Sequence, residues 1–310
     1  MRKDFELVKD EIKKAIAGKD EVIDKVLTAI LARGHILLDD IPGVGKTTLA
    51  LACSRALGLE FKRVQFTPDV VPSDIVGFSM YSKEKDEFRY MPGACMCNFL
   101  LADEINRTSS KTQSALLEVM QEGKVTVDGK SYDIPAPFTV IATQNPVGSL
   151  GTQMLPEASL DRFMIQTSMG YPSREAQIKL MEDRNQTNPL EGVKQILNAD
   201  DLSSLQSEAD NVYTDGRILA YISEIIESTR EHKMIRLGIS PRGGLAIMNM
   251  AKANALIKER DYVVPEDVQE HFPDLARHRI LLDNKALMGG DKDKDSVLKD
   301  ILSSVKAPIL

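Results

Sequence analysis

Apolar residues near the start of the chain recur at helical spacing. Phe5, Val8, Ile12 and Ile16 fall on one face, and DEVIDKVLTAILARG carries a second helical stretch up to Gly34. The pattern then changes to short unbroken apolar runs: His35-Ile36-Leu37-Leu38, FKRVQF at 61–66, NFLLAD at 98–103, FTVIATQN at 138–145 and FMIQTSM at 163–169. Between the runs lie segments long enough to hold helices. That alternation predicts a parallel sheet covered by helices on both faces. After the first run comes a glycine turn, and TTLALACSRALG then predicts a helix ended by Gly58.

Beyond Tyr171-Pro172 the pattern is helical. No strand pattern stands out between Ser173 and Ile280, and helix starts are predicted at Ser173, Thr214-Asp215, Ser240-Pro241 and Pro265-Glu266-Asp267. We therefore expect an α/β domain over 1–171 and a smaller, all-helical domain over 172–310. GGDKDKD (289–295) reads as a solvated loop before a last helix, SVLKDILSSV. Asp128-Gly129 in GKVTVDGKSYDIPAPF is a hairpin signal.

Composition narrows the class. The 310 residues are 43% hydrophobic and 27% charged, as in globular proteins rather than disordered ones. No run approaches the roughly 20 apolar residues of a membrane span, and MRKDFELVKDE lacks the apolar segment of a signal peptide, so a cytoplasmic location is expected. A formal charge of −7 and a pI near 5.3 count against a general nucleic-acid binder, which needs a basic face. Cys53, Cys95 and Cys97 give no disulfide framework and no zinc-ligand spacing, and the four histidines show no metal-ligand grouping. Both residue types read as ordinary packing residues, as do the thirteen methionines.

The chemistry is concentrated in LLDDIPGVGKTTL at 37–49. Phosphate-cradling loops follow the pattern G-x-x-x-x-G-K-S/T, and here Asp40 stands in place of the first glycine. Gly43, Val44, Gly45, Lys46, Thr47 and Thr48 keep the part that matters most. Glycines let backbone N–H groups turn onto phosphates, the lysine supplies positive charge, and the Thr47 hydroxyl reaches Mg²⁺. Hydrolysis also requires a carboxylate near the metal and a group that activates water. The strand NFLLADEIN delivers both acids at its end, Asp103 for the metal and Glu104 for the water. Taken alone, an Asp-Glu pair opens a helix as readily.

GVGKT, LLADEINR, SALLEVMQEG, IATQNP, LPEASLDRF and ISPRGG, in this order, resemble an AAA+ ATPase of the MoxR family. The likeness extends over nearly the whole chain, up to HRILL at 278–282 and the last helix. It implies a P-loop AAA+ domain with a five-stranded parallel sheet, a β-hairpin at 74–93 inserted into the second helix and another in GKVTVDGKSYDIPAPF before the first sensor, then a helical lid. By residue, it implies that Asn145 is the sensor orienting the attacking water and that Arg162 is the arginine finger reaching the neighbouring subunit's nucleotide. Arg242 matches the second sensor, set by the lid against the terminal phosphate. The implied cofactors are ATP and Mg²⁺. The implied assembly is a homo-oligomer, a hexameric ring, working with a partner bearing a von Willebrand A domain on client proteins in a chaperone-like role. In that family an acidic or polar residue commonly replaces the first glycine. Two departures remain: GACMCN replaces a glycine-proline-apolar run, and Lys19 stands where glutamine is common. The alternatives are a magnesium-chelatase-like motor subunit and a nucleotide-dependent scaffold with little hydrolysis. An activator ATPase or helicase fits less well, without a GAFTGA-type loop or a DNA-binding module.

Overall fold

A computed structural model describes residues 2–145, 154–186, 188–283 and 293–309. The two amphipathic segments form α1 (Lys3–Ala15) and α2 (Asp20–Leu31), with Phe5, Val8, Ile12, Ile23 and Val26 buried as their spacing dictates. β1 (Ile36–Asp39), α3 (Lys46–Ala56), β2 (Phe61–Gln65), α4 (Pro72–Val76), β3 (Gly77–Ser82), β4 (Glu87–Pro92) and β5 (Phe99–Asp103) follow. Then come α5 (Ser110–Glu122), β6 (Lys124–Val127), β7 (Lys130–Asp133), β8 (Thr139–Gln144), α6 (Glu157–Leu160) and β9 (Ile165–Thr167).

The five predicted runs supply all five strands of one parallel sheet, ordered β2-β5-β8-β1-β9. Phe99 to Ala102 and Val140 to Ala142 are fully buried because helices cover both faces, which is why those runs are unbroken rather than alternating. Strand order fixes the site. β8 lies between β5 and β1, and parallel strands end on the same edge, so Asp39, Asp103 and Gln144 all close onto one rim. Both hairpins form as expected, β3 against β4 and β6 against β7, and Tyr90 stacks on Tyr132 at 4.0 Å to join them.

His35 at the start of β1 is a strut. Its Nδ1 accepts from the Val140 N–H at 3.1 Å, so Nε2 carries the proton given to the Met120 carbonyl at 2.9 Å. Burial pushes its pKa down to about 4, in keeping with a neutral packing role. Burial likewise pushes the Cys53 and Cys95 thiols up to about 12 and Cys97 to about 11, so these are unreactive core groups.

The C-terminal part holds α7 (Arg174–Gln186), α8 (Ala199–Asp210), α9 (Gly216–Glu231), β10 (Ile235–Leu237), α10 (Pro241–Ile257), α11 (Pro265–Ala276), β11 (Leu281–Leu282) and α12 (Lys294–Ser304). The expected start signals are used: Asp215 caps α9, Ser240 caps α10 with Pro241 at its first position, and Asp267 reaches back to the Val264 N–H. One element departs from an all-helical expectation. Ile235–Leu237 pairs antiparallel with Leu281–Leu282, a ribbon too short to leave a period in the sequence. One apolar cluster runs from Phe5 to Ile301 across the Tyr171-Pro172 junction. Residues 289–292 of the expected loop lie outside the described residues, while Asp293 caps α12. Among the described residues no helix is long and apolar enough to cross a membrane, and no group of His, Cys, Asp or Glu could hold a metal unaided.

Candidate active site

The loop between β1 and α3 adopts the backbone that its glycines permit. Gly43 and Gly45 have φ of 84° and 98°, the left-handed region where an L side chain is strained. A Cβ on Gly43 would meet nothing within 4 Å, so its cost is conformational and the space above it is open. Gly45 is the N-cap of α3, and Lys46, Thr47 and Thr48 form that helix's first turn. The first N–H groups of a helix have no intrahelical partner and its N-terminal end is positive, so the start of α3 offers what anion binding requires. Lys46 is buried and donates to the Asp40 carbonyl oxygen at 2.7 Å. Burial lowers its pKa, and the field of Asp40, Asp103, Asp39 and Glu104 opposes that shift.

Asp103 and Glu104 sit where β5 ends. Asp103 is buried, with Oδ1 accepting from the Thr143 hydroxyl at 2.6 Å and Oδ2 paired with Arg63 at 2.6 Å. Glu104 has φ of 58°, a left-handed conformation for a non-glycine residue that turns its side chain out of the strand direction. Its N–H donates to Thr143 Oγ1 at 2.8 Å, so one buried hydroxyl aligns both acids. The carboxylate accepts from Asn145 Nδ2 at 3.0 Å and from Arg107 at 2.6 Å. Arg107 is the main reason that its pKa is lowered, with Asn145 adding to the shift and burial opposing it. Asn145 is itself fixed, because the Asn106 side chain bonds both its N–H and its C=O. The structure thus brings together Lys46, Asp103, Glu104 and Asn145 on the rim of the sheet. Thr143, Arg63 and Arg107 were not singled out from the sequence. Thr143 carried a faint signal, as a hydroxyl two residues before Asn145 in a buried strand.

Arg162 and Arg242 come together elsewhere. Both donate to Gln121 Oε1, at 3.3 Å and 3.2 Å, and both line a hollow of about 360 Å³ between the end of α5 and the first turns of α10. No residue of the chain's own glycine loop lines that hollow. Arg242, matched to the second sensor, thus stands beside Arg162 and away from the residues of its own glycine loop.

The puzzle of Asp40 resolves through contacts on the far side of the loop. Its carboxylate accepts from the N–H groups of Ile41, Met169 and Gly170, while the Lys19 ammonium donates to the carbonyls of Met169, Gly170 and Tyr171. Two departures from the usual pattern meet on one three-residue segment, holding it from both polarities. Asp40 thus fastens the glycine loop to the strand leading into α7. Restoring the customary glycine should weaken the fold, since the N–H groups of Ile41, Met169 and Gly170 lose a charged acceptor at a cost of about 2–3 kcal/mol. Calorimetric melting of Asp40→Gly should show a Tm several degrees below wild type, and an equal or higher Tm would contradict this role.

Residues 35–165 match the profile of the ATPase family associated with various cellular activities (AAA), and residues 227–301 match the AAA lid domain. The chain is 46% identical over 300 residues to YeaC of Bacillus subtilis, a protein itself uncharacterized, covering 97% of this chain and 93% of that one. It is 40% identical over 307 residues to Chaperone MoxR1 of Mycobacterium tuberculosis, covering 96% and 81%. A crystal structure from Cytophaga hutchinsonii, described only as a presumed ATPase, matches with a TM-score of 0.91 at 36% identity, covering 99% of this chain and 96% of that one. With the five-stranded sheet, the glycine loop and the paired acids in place, these likenesses assign the chain to the MoxR family of AAA+ ATPases.

Proposed function

We propose that this chain hydrolyses ATP in a Mg²⁺-dependent reaction between subunits of a hexameric ring. The cycle would drive chaperone-like remodelling or maturation of a client protein, together with a partner carrying a von Willebrand A domain. One observation carries the catalytic part: at a single sheet rim, Glu104 is held by Asn145 within a cluster that includes Lys46 and Asp103. The chaperone part rests on the relative of that name in Mycobacterium tuberculosis. A cytoplasmic setting belongs to the same reading.

The residues fit the implied metal. Thr47, one position into α3, and the buried Asp103 would hold Mg²⁺, which when bound neutralises phosphate charge. In the reaction, water oxygen bonds to the γ-phosphorus as the bond to the β–γ bridging oxygen breaks, and ADP leaves with that electron pair. Glu104 takes the water's proton; its pKa is lowered, chiefly by Arg107, so the carboxylate is ionised at neutral pH. Asn145 holds the carboxylate in a fixed orientation. Arg162, with no phosphate loop of its own within its hollow, would meet the neighbouring subunit's γ-phosphate, where a rigid guanidinium fork stabilises the developing charge.

Lys46→Ala should bind Mg-ATP about tenfold more weakly or worse, the scale of a lost charge-assisted contact, with melting little changed. Calorimetric titration measures this. Unchanged affinity would remove the glycine loop from the site.

A further inference from the structure

Asp161 directly precedes Arg162, and Ser240 lies two residues before Arg242. The Ser240 hydroxyl donates to Asp161 Oδ2 at 2.7 Å, and Asp161 Oδ1 accepts from Arg279 Nε at 2.8 Å. The Arg279 side chain is only 2% exposed. The rest of its guanidinium is spent on backbone carbonyls: Asp161 and Phe163 through Nη2, Met164 and Leu275 through Nη1. Its neighbour His278 has Nε2 3.0 Å from the Phe163 carbonyl oxygen. An arginine is suited to this task because its planar fork serves a carboxylate and several carbonyls at once, which an ammonium cannot.

Room for this arginine is provided in ISPRGG. A Cβ on Gly243 would lie 2.9 Å from Arg279 Cδ and 2.5 Å from Ile239 Cγ2, so Gly243 lets the Arg279 stem pass beneath the first turn of α10. The same turn is capped by Ser240. Two motifs distant in sequence, LDRF and SPRGG, are therefore bolted together through a third, HRILL.

The consequence concerns charge. Arg162, Arg242 and Arg279 line one hollow with Arg33, in which Asp161 is the single acidic residue among the described ones, and Arg279 takes both Asp161 contacts not used by Ser240. Arg162 and Arg242 share Gln121, a neutral acceptor, so the two guanidinium groups stand together with no carboxylate of that hollow neutralising them. Like charges so placed repel unless the backbone fixes them or an anion joins them.

We propose that Arg279 is a positioning residue: with Asp161 and Ser240 it locks the segment of Arg162 to the helix of Arg242. The two guanidinium groups are thereby presented as one rigid unit to the neighbouring subunit's terminal phosphate. This rests on the reading of Arg162 as acting in trans. Arg242 then contributes from the same side as Arg162 and not at its own chain's loop.

The test uses the full-length protein and Asp161→Asn, which keeps the side chain's shape and removes its charge. It should bind Mg-ATP as wild type does and lower kcat about tenfold or more, the scale of misplacing a group in phosphoryl transfer. Adding Arg162→Ala to Asp161→Asn should cost less than the product of the single effects, because both act on one unit. Mixing Asp161→Asn with Glu104→Gln subunits should restore activity, as mixing Arg162→Ala with Glu104→Gln should. Arg279→Lys provides a second variant, retaining charge without the fork, with the same expected pattern. Recovery with Arg162→Ala but not with Asp161→Asn or Arg279→Lys would overturn the positioning role alone. No recovery for any mixture shown to co-assemble would overturn the trans reading and this inference with it. Full kcat in both Asp161→Asn and Arg279→Lys would also overturn the positioning role.

Discussion

Arg162→Ala is expected to bind Mg-ATP almost as wild type does and to turn it over about a thousandfold more slowly. Arg162 is half-buried, with Nη1 on the Ala158 carbonyl at 2.8 Å and Nε on Gln121. Among the described residues its hydrogen-bond partners are neutral, so no ion pair competes with an incoming phosphate. The hollow that it lines contains nothing of its own glycine loop, so substrate binding by that loop should not sense the loss. Steady-state rates beside calorimetric affinities separate the two effects. A variant that lost affinity in proportion to rate would place Arg162 in ground-state binding instead.

Glu104→Gln should bind ATP and hydrolyse it at least about a hundredfold more slowly, the scale for removing a positioned base. An amide has nearly the carboxylate's shape, so Asn145 and Thr143 can stay in place, while the proton acceptor and the charge paired with Arg107 are lost. Normal turnover in Glu104→Gln would leave this residue a structural one.

The sheet was legible because its strands are unbroken apolar runs and its helices begin at local signals such as Asp215 and Ser240. The rim was legible because the glycine loop joins β1 to Lys46 at the head of α3, and Asp103 and Glu104 stand at the end of β5. Contacts between distant segments left no such trace. Nothing near Asp40 in sequence announces that its carboxylate holds Met169 and Gly170, and nothing near Arg279 announces Asp161, 118 residues away. A polar residue's partner is set by topology, which packs α11 against β9 and α10 against α11, and periodicity is blind to it. The same blindness hid the neighbourhood of Arg242, whose motif marked a charge without saying which side of the molecule would present it.

The most direct measurement mixes Arg162→Ala and Glu104→Gln subunits, each nearly inactive alone, under conditions where the two co-assemble. One class of interface then joins the intact arginine of the Glu104→Gln subunit to the intact base of the Arg162→Ala subunit. Activity well above the sum of the separate proteins is the predicted result, and wild-type specific activity should rise with protein concentration until rings form. Mixtures that co-assemble without recovery, with wild-type activity independent of concentration, would contradict catalysis between subunits.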